Sequence, residues 1–216
     1  PPCRDLTEHW DWARGPVLEL ASLEAFGTKG DYFGPAFDMT RGEFAHALAR
    51  ITDLASVHGE TKEQVVNPFA NRRQEASEET SPFVDVSPNH PYYKEIKDIN
   101  EAGIMIGVMP GRFAPDNTLT RAEAITALIK ALGFEKLAPL QKPTTPFRDD
   151  DKIPYWARDA IYVAAEMGIV NGDNFNNVMP NQDMSRAEAA AFLQRLIHYL
   201  QRDLKTEYRE RLINFW

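Results

Sequence analysis

One cysteine, Cys3, stands in a chain of 216 residues, so no disulfide can form within it. No Cys/His cluster with ligand spacing accompanies it, and neither a metal nor any other cofactor is expected. Long apolar runs are missing too: no stretch of 18 residues is continuously apolar, which excludes a bilayer-spanning helix of the ordinary kind. Positive charge is in deficit, with 24 Lys and Arg against 32 Asp and Glu for a formal net charge of −8. An acidic chain lacks the basic face that nucleic acid or an anionic membrane requires. The nucleophile elbow Gly-x-Ser-x-Gly, the phosphate loop and the dinucleotide fingerprint do not occur. Asp149-Asp150-Asp151 belongs to no twelve-residue calcium loop, and His9, His46, His58, His90 and His198 show no ligand spacing. The chain is therefore not expected to be an enzyme, and any catalytic domain joined to it would lie elsewhere. It opens on Pro1-Pro2-Cys3 without a charged and then apolar leader, so a secretory leader is expected to be absent or already removed.

What the chain does have is repetition. Thr40-Arg41-Gly42-Glu43, Thr120-Arg121-Ala122-Glu123 and Ser185-Arg186-Ala187-Glu188 share one pattern. Pro35, Pro115 and Pro180 each precede the hydroxyl residue by five positions, and Met39, Leu119 and Met184 precede it directly. Leu48, Leu128 and Leu193 follow at eight positions, and the basic Arg50, Lys130 and Arg195 at ten. Upstream, Asp5, Asp85 and Asp149 recur at distances of 35, 35 and 36 from the Thr or Ser. The chain is a triplicated unit.

Each unit reads as helix, loop, helix. Ile96, Ile99 and Ala102 lead to Gly103, and Trp156, Ile161, Ala164 and Met167 lead to Gly168: apolar stripes closed by a glycine placed to end a helix. The first unit keeps the stripe in Trp12, Val17, Leu20 and Leu23, but Pro16 falls inside it, which predicts a short or late-starting helix. The second helix starts at the signature. Thr40, Thr120 and Ser185 with Glu43, Glu123 and Glu188 three residues later are capping boxes: the hydroxyl takes the N3 amide and the carboxylate takes the N-cap amide. The apolar faces that follow (Phe44 and Leu48, Ile125 and Leu128, Phe192 and Leu193) predict three signature helices burying against one another near a common axis.

Capping does not explain the arginine. A cation in the first turn opposes the helix dipole, yet Arg41, Arg121 and Arg186 all stand there. Two readings are open: a salt bridge to the recurring Asp, or capture of a carboxylate or phosphate between free helix amides and a guanidinium.

The unit boundaries are expected at 1–52, 83–132 and 147–196, with linkers at 53–82 and, rich in proline, 133–146. Over 197–216, Ile197, Leu200, Leu204, Tyr208, Leu212 and Phe215 extend the last helix as an amphipathic stripe. That stripe either packs back on the units or meets a partner, such as the remainder of a larger surface protein.

Phe83-Val84-Asp85, His90-Pro91-Tyr92-Tyr93, Gly103-Ile104, Phe113-Ala114-Pro115 and Leu119-Thr120-Arg121-Ala122-Glu123 together resemble the S-layer homology family. The third unit repeats the pattern, and the first departs from it at Cys3, Pro16 and Gly42. The resemblance implies an all-α, pseudo-threefold, three-pronged arrangement of helix-loop-helix repeats, here with a C-terminal helical extension. It implies a secreted cell-surface location and non-covalent anchoring to bacterial secondary cell-wall polysaccharide, with pyruvylated N-acetylmannosamine lying in grooves between repeats. It implies further that the signature arginine meets the pyruvate carboxylate, with more weight on Arg121 and Arg186 than on Arg41. Asp5, Asp85 and Asp149 count with that site, as do Trp12, Tyr92, Tyr155 and Trp156 as sugar platforms and Gly107 and Gly172 as points of close backbone approach. For the aromatics, core packing is an equal alternative. The other functional readings are a helical scaffold for another protein and the targeting module of a surface glycan-degrading enzyme.

Overall fold

A computed structural model describes residues 3–28, 30–57 and 81–213. Among them are six α-helices and no β-strand: α1 (Asp11–Ser22), α2 (Arg41–Val57), α3 (Tyr93–Glu101), α4 (Arg121–Ala131), α5 (Arg158–Glu166) and α6 (Arg186–Ile213). None is long and apolar enough to cross a membrane. The three signature helices α2, α4 and α6 begin at the arginines, as the capping boxes require. All three boxes are formed: the Glu43, Glu123 and Glu188 amides donate to the Thr40, Thr120 and Ser185 hydroxyls, and the Thr40, Thr120 and Ser185 amides donate to the glutamates.

The repeats close on one another through the residue before each box. The Met39 amide donates to Met184 O at 2.8 Å, the Met184 amide to Leu119 O at 2.9 Å and the Leu119 amide to Met39 O at 2.9 Å. These three bonds make a complete ring, and all three side chains are buried. Three copies close the ring and leave no unpaired edge, which is the physical reason for a triplet. Around this axis the buried Phe44, Leu48, Ile125, Leu128, Phe192 and Leu193 form the core, as expected.

The prongs are not built within repeats. Helix α2 packs on α3, α4 on α5, and α6 on α1, so each prong pairs a signature helix with the first helix of the next repeat. The segments 23–40, 102–120 and 167–185 that separate the two helices of a repeat are much longer than a helical-hairpin turn and carry the chain from prong to axis. Asp5, Asp85 and Asp149 hold these segments, each accepting two successive amides: Phe33 and Gly34, Phe113 and Ala114, Val178 and Met179. The second residue of each pair has positive φ, at 74° for Gly34, 57° for Ala114 and 52° for Met179. The carboxylate thus fixes a backbone turn that two of the three side chains disfavour.

The first repeat departs from its expectation. Helix α1 runs through Pro16 over 12 residues, longer than α3 or α5 at 9 each. Proline removes one helical hydrogen bond there, while Ala13, Pro16, Val17 and Leu20 are all buried, and that packing carries the helix past the break. Its end lacks a glycine: Glu24 takes the left-handed position at φ 56° that Gly103 and Gly168 take at 71° and 67°. The amides of Ala25, Ile104 and Ile169 then close the same turn onto Leu20, Ile99 and Ala164. Cys3 is buried where the other repeats bury Phe83 and Phe147, and Phe26, packed edge-on against Phe33 at 5.5 Å, restores the aromatic bulk.

Beyond Gly133 the proline-rich strap makes a short 3-10 turn at Glu135–Leu137 and then runs without regular structure. Arg158 clamps its end, donating to Pro143 O and to the Asp150 side chain and carbonyl. Of the linker expected at 53–82, residues 53–57 continue α2 and 58–80 lie outside the described residues. Helix α6 is continuous to Ile213. Leu196 and Ile197 are buried, Leu204, Tyr208 and Leu212 fall where only the backbone is described, and Phe215 lies outside the described residues.

Candidate functional site

The signature arginines do not reach the recurring aspartates, whose carboxylates take loop amides instead. Each crosses into the following repeat. Arg41 Nε donates to Phe113 O at 2.9 Å, Nη1 to Glu123 Oε1 at 2.6 Å and Nη2 to Ile106 O at 2.9 Å. Arg186 Nε donates to Phe33 O at 3.0 Å, Nη1 to Glu43 Oε1 at 2.5 Å and Nη2 to Gly27 O at 2.7 Å, which joins the third repeat to the first. Arg121 is held more loosely: Nε donates to Val178 O at 2.9 Å, but Nη1 stands 3.8 Å from Glu188 Oε1. The difference has a cause in the sequence. Arg41 lies over the Phe113 ring at 4.9 Å and Arg186 over Phe33 at 4.7 Å, whereas the third repeat offers Val178 at that place and no ring to lie on. Burial lowers the pKa of Arg41 and of Arg121, with Glu123 and Glu188 acting in the opposite direction.

The helix amides are also taken. The Arg41, Arg121 and Arg186 amides donate to Asn117 O, Gln182 O and Phe37 O. Those of Gly42, Ala122 and Ala187 donate to Pro115 O, Pro180 O and Pro35 O. With the capping box accounting for the other two orphan donors, no first-turn amide is left for an anion. The arginine and the box glutamate form a fastening between repeats, with one glutamate oxygen serving its own helix cap and the other the arginine from the previous repeat. Nothing in the local sequence signals that second use, because the partner lies a whole repeat away.

Beside the first fastening lies a groove of about 420 Å³. Arg41 comes to it from the first repeat and Trp156 from the third. The second repeat supplies the loop Ile104–Val108 and, from α4, Glu123, Thr126, Ala127 and Lys130. All three repeats therefore build one wall-to-wall cleft. Trp156 is 56% exposed, so its indole is free to act as a platform. Gly107 lines the cleft; a Cβ there would meet Arg112 O at 2.4 Å and Phe83 Cε1 at 2.9 Å, so the loop's own packing already demands glycine. Lys130 makes no hydrogen bond or ion pair among the described residues and provides the cleft with an available cation.

The remaining sequence candidates do not converge on this cleft. Trp12 and Tyr155 are exposed at 53% and 83% but line no described cavity. Tyr92 is half-buried between His46, stacked at 5.0 Å, and His90. Gly172 stands in the third-repeat loop against Asn176, which a Cβ would meet at 2.7 Å. Lys130 is the basic residue that recurs ten positions after the Thr or Ser, a spacing that carries no role of its own. Thr126 and Ala127 are small side chains that carry no chemical signature in the sequence.

The S-layer homology domain family matches residues 4–45, 82–125 and 146–190 of this chain. A cell surface protein of Thermoanaerobacter kivui is 31% identical over 124 residues, 57% of this chain and 16% of that protein. An amylopullulanase of Thermoanaerobacterium thermosulfurigenes is 30% identical over 192 residues, 87% of this chain and 9% of the enzyme. A cellulosome-anchoring protein of Acetivibrio thermocellus is 29% identical over 114 residues, 50% of this chain and 25% of that protein. The chain thus spans a small part of the length of each of these relatives.

Proposed function

The chain belongs to the S-layer homology domain family, and from that premise we propose that it anchors a protein to the bacterial cell wall by binding an acidic secondary wall polysaccharide in the cleft between Arg41, Lys130 and Trp156. The relatives support the anchoring role: among them are a cell surface protein and a cellulosome-anchoring protein, and the enzyme among them shares with this chain only a small fraction of its length. Whatever activity a parent protein has, this module's part is attachment. The wall location follows from the same reading.

The observation that carries the proposal is the make-up of the cleft. An exposed indole, a loop of close-approaching backbone and a cation line the same cleft. A pyranose needs a flat apolar face and short polar contacts, and a pyruvate ketal adds a fixed carboxylate for the cation. The net charge of −8 disfavours a polyanion at long range, so attraction must be local, with only a modest salt dependence. Pyruvylated N-acetylmannosamine is the sugar we assign to the cleft.

The test is retention on purified wall sacculi before and after acid removal of the polysaccharide. Retention lost with the polysaccharide supports the proposal. Equal retention on both points to peptidoglycan or a protein ligand instead.

A further inference from the structure

Residues 171–177 of the third-repeat loop include four asparagines, Asn171, Asn174, Asn176 and Asn177. An asparagine side chain is chemically labile when the main-chain amide of the next residue is free to attack it. After three of the four that amide is engaged. Phe175 N and Asn177 N donate to Asp173 Oδ1, each at 2.8 Å, and Val178 N donates to Asp149 Oδ1 at 2.8 Å. The Gly172 amide, which follows Asn171, has no acceptor among the described residues, and the exposed Asn171 side chain has no hydrogen bond there. We propose that Asn171-Gly172 is a self-modification site, at which the Asn171 side-chain amide is lost as ammonia and a carboxylate takes its place.

Packing and chemistry both call for glycine at 172. A Cβ there would meet Asn176 Cα at 2.7 Å, so the loop admits no side chain. Without a side chain the nitrogen is unshielded and its backbone is free to turn toward the attacked carbon. No other asparagine of the chain precedes a glycine. The difference between repeats removes the remaining restraint. Gly27, Ile106 and Asn171 each stand three residues past the left-handed residue that closes the first helix, namely Glu24, Gly103 and Gly168. Arg186 Nη2 holds the carbonyl of Gly27 and Arg41 Nη2 that of Ile106. Arg121 gives Asn171 no such bond, since only its Nε donates, to Val178 O. The peptide that reacts is therefore the one of the three that no arginine holds.

The step needs only the chain, water and a solution base. The base takes the proton of the Gly172 amide, and the nitrogen attacks Asn171 Cγ. A C–N bond forms to close a five-membered imide, and the bond from Cγ to the side-chain nitrogen breaks, releasing ammonia with a proton from solvent. Water then opens the imide. Cleavage at Cγ leaves an aspartyl residue, and cleavage at the main-chain carbon leaves an isoaspartyl link. Either product adds one carboxylate to the loop near the loosest fastening. The Asn177 amide first, and Arg121 among the smaller causes, hold the Asp173 carboxyl below its ordinary value, so the guanidinium's charge already reaches this loop.

The experiment incubates the intact folded chain in heavy-oxygen water, at neutral and at mildly alkaline pH, and maps its peptides by tandem mass spectrometry. Labelling by an isoaspartyl methyltransferase is the second probe. We expect Asn171 to convert about tenfold or more faster than Asn174, Asn176 or Asn177 in the same chain, a modest difference in barrier. Heavy oxygen should enter at residue 171, both products should appear, and the rate should rise in the alkaline buffer. The exposed Asn171→Gln substitution, shown to melt as the wild type does, should remove the fast phase of ammonia release. Conversion at Asn171 no faster than at its neighbours would overturn the inference. So would conversion seen only in urea, or a fast phase that survives Asn171→Gln.

Discussion

Arg186 and Glu43 lie 143 residues apart in sequence, yet the guanidinium Nη1 of one meets the carboxylate Oε1 of the other at 2.5 Å. This contact closes the third repeat onto the first, in parallel with the backbone bond from the Met39 amide to Met184 O. Arg186 is 7% exposed and also holds the carbonyls of Phe33 and Gly27. Its removal would leave a partly buried carboxylate and two carbonyls without their donor. Arg186→Ala is expected to cost about 3–5 kcal/mol, measured by urea unfolding. Arg121→Ala, with its single close bond, should cost clearly less, and an equal loss would contradict the asymmetry described here.

Gly42 faces a different constraint. The corresponding positions in the other repeats are Ala122 and Ala187, but a Cβ at Gly42 would stand 3.0 Å from Pro115 O and 3.3 Å from Tyr92 Cδ2. The first-helix positions that correspond to Tyr92 are Ala13 and Ala157, so glycine accommodates the larger ring. Gly42→Ala should destabilise by about 1–3 kcal/mol, as overpacking does. Part of that loss should return in the Tyr92→Ala background, and a double-mutant cycle with no coupling would refute the pairing.

The helix C-termini predict unequal costs for opposite exchanges. Gly103→Ala and Gly168→Ala meet no atom within 4 Å, so backbone strain at positive φ is their main cost, about 1–2 kcal/mol each. Glu24→Gly relieves that strain in α1 and should be close to neutral despite losing the exposed pair with Arg50. Thermal melts of the three variants check the order.

Acid should unfold the module through its loop-holding carboxylates. For Asp5 and Asp85, burial pushes the carboxyl up, but the two loop amides each accepts outweigh it and hold the pKa below the ordinary value. For Asp150, burial again acts upward, and the Thr145 hydroxyl and amide with Arg158 bring it down. A depressed folded-state pKa means the stabilisation is complete above the unfolded value of ~3.9 and is lost as pH falls through the folded value. Unfolding free energy should therefore vary little through these groups at neutral pH and fall below about pH 4. Asp85→Asn should lower stability at pH 7 and make the acid limb shallower; an unchanged limb would contradict the assignment.

How much of this was legible in the sequence depends on the range of each interaction. The capping boxes, Gly103 and Gly168 announce themselves because a cap is settled within a few residues. The triplication and the axis could be read from recurring Leu48, Leu128 and Leu193. The pairing of α2 with α3 rather than with α1 could not, since the apolar stripes are equally suited to either neighbour. The arginine breaks a local rule that the sequence shows, but its partners are carbonyls and a glutamate a repeat away, which spacing does not encode. Pro16 misled because propensity weighs one lost hydrogen bond and cannot see the packing of Ala13, Val17 and Leu20 that offsets it. Glu24 in a left-handed turn was invisible, as nothing in a glutamate predicts it.

The central claim is that one cleft, built from three repeats, receives an acidic wall sugar. The most direct measurement is a titration of the isotope-labelled chain with the methyl glycoside of pyruvylated N-acetylmannosamine, followed by two-dimensional amide and indole NMR. The account predicts that the largest shifts fall on the Gly107 amide, its loop neighbours and the Trp156 indole, while the Gly172 loop and the Trp12 indole stay in place. Shifts centred on Gly172 and Arg121, or none at saturating sugar, would contradict it.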